Sequence, residues 1–206
     1  MKQTILIIAL LIVVANNAFS QFTVGPKAGL NLTKEYAGQK MFDEGRNFKN
    51  GLNLGLFGCY EMNDKLDLQV EMLYSQQGYK TDISLWDWSG DWAASGFKAS
   101  SHYLNVPLLL KYYPFKRFYI EAGPQIGFCL DSSFLLENDE VDDALKKMNT
   151  DYHKVDFSLA GGLGFHIGNG FSINVRYNHG FTKTLNESLW KNRVVQFSLA
   201  YDLWSF

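Results

Sequence analysis

Apolar and polar residues alternate with a period of two along most of this chain. The clearest run sets Leu66, Leu68, Val70, Met72 and Tyr74 on one parity, and Asp67, Gln69, Glu71, Leu73 and Ser75 on the other. Such alternation is the mark of a β-strand with one apolar and one polar face. Eight segments carry it, at about 22–33, 51–61, 66–79, 102–113, 118–130, 153–167, 171–183 and 192–206. The connections between them alternate strictly. Long loops at 34–49, 80–101, 131–152 and 184–191 take turns with tight turns at 62–65, 114–117 and 168–170. Within the third loop, Glu140 to Met148 reads as a short helix. In an up-and-down barrel this order gathers every short turn at one end and every long loop at the other, as outer-membrane barrels do. The expected fold is all-β: an eight-stranded antiparallel up-and-down transmembrane β-barrel with short periplasmic turns and long extracellular loops. Strands of 11–15 residues meet the ~9–11 that a tilted crossing needs.

A soluble lipocalin-like barrel shows the same alternation with its apolar face turned inward. Three features decide against it. Aromatic residues on the apolar parity gather near strand ends: Tyr60, Tyr112, Phe118, Phe165, Phe171 and Tyr201 at the turn end, Tyr74, Phe128, Phe157 and Phe181 at the loop end. They form two interfacial girdles. The polar parity carries Lys27, Glu71, Lys111, Glu121 and Arg176 at mid-strand among glycines, which suits a narrow filled interior. The last strand also runs directly into Phe206. Pro26, Pro107 and Pro124 lack the N–H that a closed ladder requires, and bulges are the expected accommodation.

Residues 1–20 read as a cleaved signal peptide. Lys2 supplies the positive start, Ile5 to Ala15 an apolar run too short to span a membrane, and Ala18-Phe19-Ser20 the small-residue cleavage site. Residues 21–206 then form one barrel domain. The formal net charge of −2 gives no electrostatic case for nucleic acid. Aromatics at 16% and 18 glycines suit strands and turns. Cys59 and Cys129 fall near opposite ends of the barrel, beyond the ~7 Å reach of a disulfide, so two free buried thiols are expected.

Several stretches together resemble the PorT-type outer-membrane β-barrel family of Bacteroidetes. They are Gly25-Pro26-Lys27-Ala28-Gly29-Leu30-Asn31-Leu32, Leu68 to Gly78, Tyr103 to Tyr112, Tyr119-Ile120-Glu121-Ala122-Gly123-Pro124, and Arg193-Val194-Val195-Gln196 into the aromatic end. The resemblance implies an eight-stranded outer-membrane barrel, with links in some members to secretion and gliding machinery; the signal peptide adds Sec-type export as the expected route. It implies no single activity. One departure concerns the end of the chain. Lipid-facing odd positions from Val195 to Leu203 turn Trp204 and Phe206 inward. Either a bulge shifts the register or this end departs from the usual assembly signal.

The interior charges Lys27, Glu71, Lys111, Glu121 and Arg176 are expected to pair as a structural network, because an unpaired ion there would cost several kcal/mol. The functional alternative is a gate, and an eight-stranded interior leaves little room for one. Trp86, Trp88 and Trp92 are candidate partner-binding aromatics of the second long loop; packing at the membrane interface competes with that reading. Glu137, Asp139, Glu140, Asp142 and Asp143 lack EF-hand spacing and read as a solvated loop. His102, His153, His166 and His179 lie on separate elements with no metal spacing, and Gly161-Gly162-Leu163-Gly164 sits inside a strand, unlike a phosphate loop. The expectation is a monomeric, non-enzymatic barrel without cofactor or metal. Its partners would be outer-membrane lipid and an envelope or secretion complex met through the extracellular loops. A narrow pore for small solutes is the alternative.

Overall fold

The computed structural model describes residues 21–36, 46–86, 92–137, 147–148, 154–183 and 191–205. The expected signal peptide lies outside them, as do Trp88, the acidic residues Asp139 to Asp143, His153 and Phe206.

Eight long strands run in sequence: β1 (Phe22–Tyr36), β2 (Lys49–Asn63), β3 (Leu66–Trp86), β4 (Trp92–Phe115), β5 (Phe118–Glu137), β6 (Val155–Gly168), β7 (Phe171–Lys183) and β8 (Lys191–Tyr201). Each pairs antiparallel with its sequence neighbours, and β8 returns to β1 with Ala28 opposite Leu199, which closes the barrel. The three tight turns lie where expected, at one end. One of them runs through Gly168, Asn169 and Gly170, whose φ angles of 120°, 52° and 80° are accessible to glycine and tolerated by asparagine.

Closure sets the two faces apart. Leu54 and Leu56 are 61% and 63% exposed on the outer wall, whereas Lys27 and Arg176 are 2% and 0% exposed inside. Tyr112, Phe165 and Phe171 at the turn end, and Phe128, Phe157 and Phe181 at the loop end, also face outward. This polarity is the reverse of a lipocalin's and matches a wall immersed in lipid.

At the loop end the strands run further than their alternation predicts. Residues 80–86 and 92–101, expected as loop, continue the β3–β4 ladder in unbroken register from Tyr79 opposite Ala99 to Trp86 opposite Trp92. Residues 131–137 likewise extend β5. Lys147–Met148, expected in a helix, is extended and pairs with Leu135 and Phe134; residues 140–146 lie outside the described residues. A second short segment, Arg46–Asn47, pairs with Thr81 and Lys80 of β3.

Between that segment and Asn53 opposite Ser75, the β2–β3 register shifts by one residue. Interior side chains take over carbonyls of β3 and β4 there. Asn31 Nδ2 donates to Gln76 O at 3.1 Å, Thr33 Oγ1 to Gly78 O at 2.7 Å, and Lys49 Nζ to Gln77 O at 3.1 Å and Ala99 O at 2.9 Å. Buried carbonyls need such partners.

The prolines divide. Pro26 sits where the β1–β8 register breaks, between Lys27 opposite Ala200 and Val24 opposite Trp204, so a bulge does accommodate it. Around Pro107 and Pro124 the ladder pairs lapse without any register shift, contrary to the expected bulges. The break at Asp202–Leu203 also resolves the end of the chain. It adds one residue on the β8 side, and Trp204 stands 62% exposed on the outer wall instead of facing inward.

Candidate functional site

Four of the five predicted interior charges meet at mid-barrel. Lys27 comes from β1, Glu71 from β3, Glu121 from β5 and Arg176 from β7, so alternate strands each contribute one ion. Arg176 reaches across the lumen to Glu71 in a bidentate pair, Nη1 to Oε2 at 2.7 Å and Nη2 to Oε1 at 2.8 Å. Its Nε donates to Glu121 Oε1 at 2.7 Å, and Lys27 Nζ donates to Glu71 Oε1 at 2.9 Å. Two cations thus face two carboxylates, and all four side chains are sealed from solvent. Bidentate guanidinium–carboxylate pairs are the strong, geometrically specific form of this contact.

The sequence around these ions makes room for them. Lys27 has Gly55 as its register partner, and Gly162 stands between Glu121 and Arg176 in the ladder. A Cβ on Gly162 would lie 3.0 Å from Glu121 Oε1. The glycines of the inward parity are therefore the space in which long charged side chains cross a narrow lumen.

Two further residues complete the cluster. Asn174 Nδ2 donates to Glu121 Oε1 at 3.0 Å, and Gln69 Nε2 donates to Glu71 Oε1. Both lie two positions from a predicted ion on the same inward parity, a signal that would have identified them. Glu121 Oε2 and Gln69 Oε1 are buried without a hydrogen-bond partner.

Lys111 is the exception to the predicted network. It is the register partner of both Asp67 and Glu121, yet its Nζ lies 4.4 Å over the Tyr119 ring. Arg176 and Asn174 both donate to Glu121 Oε1, and Lys111 does not reach the remaining oxygen, Oε2. Lys111 instead lines a turn-end cavity of about 240 Å3 with Asp67, Tyr113, His166 and Asp202. Tyr113 and His166 stack there with centroids 5.8 Å apart. Partial burial pushes the Asp202 carboxyl up, with His166 and Lys111 opposing the shift.

The remaining candidates stay dispersed. Trp86 and Trp92 are register partners at the tip of the β3–β4 hairpin. His102 Nδ1 is 2.6 Å from Tyr74 Oη, and His179 packs edge-on against Tyr177. Among the described residues, no group of three or more His, Cys, Asp or Glu is arranged to hold a metal ion. Cys59 and Cys129 are free thiols, the first buried and the second only half-buried, a departure from the expected pair of buried ones. Among the described residues, the four ions brace the lumen at mid-barrel.

Known structures share this architecture. Ail, the attachment invasion locus protein of Yersinia pestis, solved in complex with the heparin analogue sucrose octasulfate, superposes with a TM-score of 0.51 at 13% identity, covering 88% of this chain and 98% of its own. Neisserial surface protein A gives 0.52 at 9% identity, covering 88% and 97%. Identities this low carry the fold alone. No curated protein matches the chain. The family model described as outer membrane protein beta-barrel domain matches residues 14–186, and the chain belongs to that family.

Proposed function

We propose that this protein is a non-enzymatic, monomeric surface barrel that presents its loop end outside the cell, for recognition or for accessory support of a secretion or envelope complex. One observation carries the reading: the ion brace fills the lumen at mid-barrel while β3, β4 and β5 run on to 21, 24 and 20 residues. Only ~9–11 residues are needed to cross the bilayer, so the surplus builds a projecting sheet with Trp86 and Trp92 at its tip. The PorT-type stretches support an envelope-complex role in a Bacteroidetes-type cell, after removal of residues 1–20.

The test is co-purification from native outer membrane. The intact barrel should retain a partner that is lost when residues 84–94 are replaced by a two-residue turn. Equal recovery with the shortened hairpin would move recognition away from the Trp86–Trp92 tip.

A narrow pore is the second reading, favoured by the turn-end cavity that reaches Gln69 just below the brace. In planar bilayers the wild-type barrel should show no conductance steps above leak. Steps in the wild type, enlarged by Glu71→Gln, would establish the pore instead.

A further inference from the structure

The turn end of the lumen gathers more acid than base. Glu61 of β2 and Asp67 of β3 are register partners on the inward parity. Like charges directly opposite on one face of a sheet destabilise the pairing. Asp202, just beyond β8, lies close enough to Glu61 for the two charges to interact. These three carboxylates and Asp64 line the turn-end cavity of about 240 Å3. Among the described residues, none of the four makes an ion pair, since the ion pairs of the lumen belong to the brace. Asp67 accepts only from neutral groups, Cys59 Sγ at 3.7 Å and Tyr113. Three lysines also line the cavity. Lys27 is held by Glu71 in the brace, Lys111 leans over the Tyr119 ring, and Lys116 stands exposed in the tight turn. Four carboxylates therefore face two lysines outside the brace.

A second observation lies at the inner end. Gln69 is 2% exposed and lines the same cavity. Its Nε2 donates to Glu71, and its Oε1 is buried without a hydrogen-bond partner. With the donor side of the amide committed to the brace, the acceptor side is the one turned to the cavity. A buried acceptor calls for an N–H or O–H donor. The carboxylates do not converge on one point: among the described residues, no group of three or more His, Cys, Asp or Glu is arranged to hold a metal ion. A cation with its charge spread over several N–H groups matches such a lining better than a compact ion does. Phe57, Tyr113 and Tyr119 add aromatic surface to the cavity, and a planar guanidinium stacks on such rings. At ~30 Å3 per water, the cavity holds roughly eight waters, or an organic cation with about that many heavy atoms.

We infer that the turn-end cavity binds a small organic cation of the guanidinium or diamine class. Its inner N–H groups donate to Gln69 Oε1 and Asp67, and its outer charge lies between Glu61 and Asp202. The bound cation offsets the repulsion within the Glu61–Asp67 pair and gives the Gln69 carbonyl its donor. The inference rests on the barrel and its cavity, and not on what the loop end recognises.

The mature chain is purified in a neutral detergent at low salt and titrated with agmatine, which carries a guanidinium and an ammonium group. Parallel titrations use butylurea, which is similar in length but neutral, calcium, and N-acetylarginine amide. Calorimetry gives the affinity, and the Gln69 side-chain amide resonance, assigned by its loss in Gln69→Leu, reports on the inner end. Agmatine should bind saturably and shift that resonance, and butylurea should not bind. Glu61→Gln and Asp202→Asn should each weaken agmatine about fivefold, the order of one partly exposed ion pair. Asp131→Asn at the loop end should leave binding unchanged. Absence of saturable agmatine binding, or equal affinity in Glu61→Gln, overturns the site. Calcium that binds and excludes agmatine makes it a metal site and overturns the organic-cation assignment. Tighter binding of N-acetylarginine amide than of agmatine gives the seat to an arginine side chain of a protein partner and overturns the small-molecule assignment. If Asp202→Asn does not fold, Glu61→Gln alone decides.

Discussion

Replacing Arg176 with Met should destabilise the folded barrel by about 3–5 kcal/mol, the cost of breaking a buried ion pair from one side. The substitution leaves Glu71 and Glu121 facing each other across the lumen with Lys27 as the remaining cation of the brace. It also removes three charge-assisted hydrogen bonds at 2.7–2.8 Å. Urea unfolding in lipid vesicles, followed by tryptophan fluorescence and by heat-modifiable gel migration, reads the change. Combining Arg176→Met with Glu71→Gln, Glu121→Gln and Lys27→Met should restore most of the stability, because an uncharged set carries no stranded ion. A single variant within about 1 kcal/mol of the wild type would mean that the brace does not hold the barrel together.

Gly78→Ala should be the second large effect. Gly78 has φ +133°, a region open essentially to glycine alone, and a Cβ there would sit 2.1 Å from Ala99 O and 3.1 Å from Lys49 Nζ. Its own carbonyl accepts from Thr33, so the residue cannot swing away without breaking the contacts that bridge the β2–β3 lapse. Backbone strain and overpacking together predict a loss on the order of 2–5 kcal/mol. Gly161→Ala is the matched control, since a Cβ there meets nothing within 4 Å. The same unfolding assay should find it neutral. Equal stability of the two variants would show that the Gly78 site relaxes freely.

The membrane belt was legible from alternation alone because one physical contrast, lipid outside and ions inside, dictates every second residue. The loop end was not, for a related reason. In β3 the apolar positions run on even numbers through Leu66, Leu68, Val70, Met72 and Tyr74, then pass to odd numbers at Ile83 and Leu85. In β4 they run on even numbers from Leu104 to Leu110, with Phe97 and Ala99 on odd numbers before them. A change of phase looks like the end of a strand, yet the ladder continues through it unbroken. Parity likewise found Lys27, Glu71, Glu121 and Arg176 but misplaced Lys111, because parity specifies a face and not the direction in which a long side chain leans along it. Alternation left two readings open for Trp204, and the inserted residue at Asp202–Leu203 selects the bulge; a single bulge reverses every parity argument beyond it.

The placement of the brace on alternate strands bears on how the barrel enters its membrane. In an open sheet Glu71 and Arg176, four strands apart, would be separated by roughly 19 Å. Neither could neutralise the other, and each would keep its water. A half-curled sheet pushed into lipid would therefore carry the Glu71 and Arg176 charges on its concave side without their bidentate pairing. Only when β1 and β8 meet do the four charges converge and shed their hydration together. Curling and insertion are thereby tied into one event, and the charges that fill the finished lumen act beforehand as a penalty on every partly closed form.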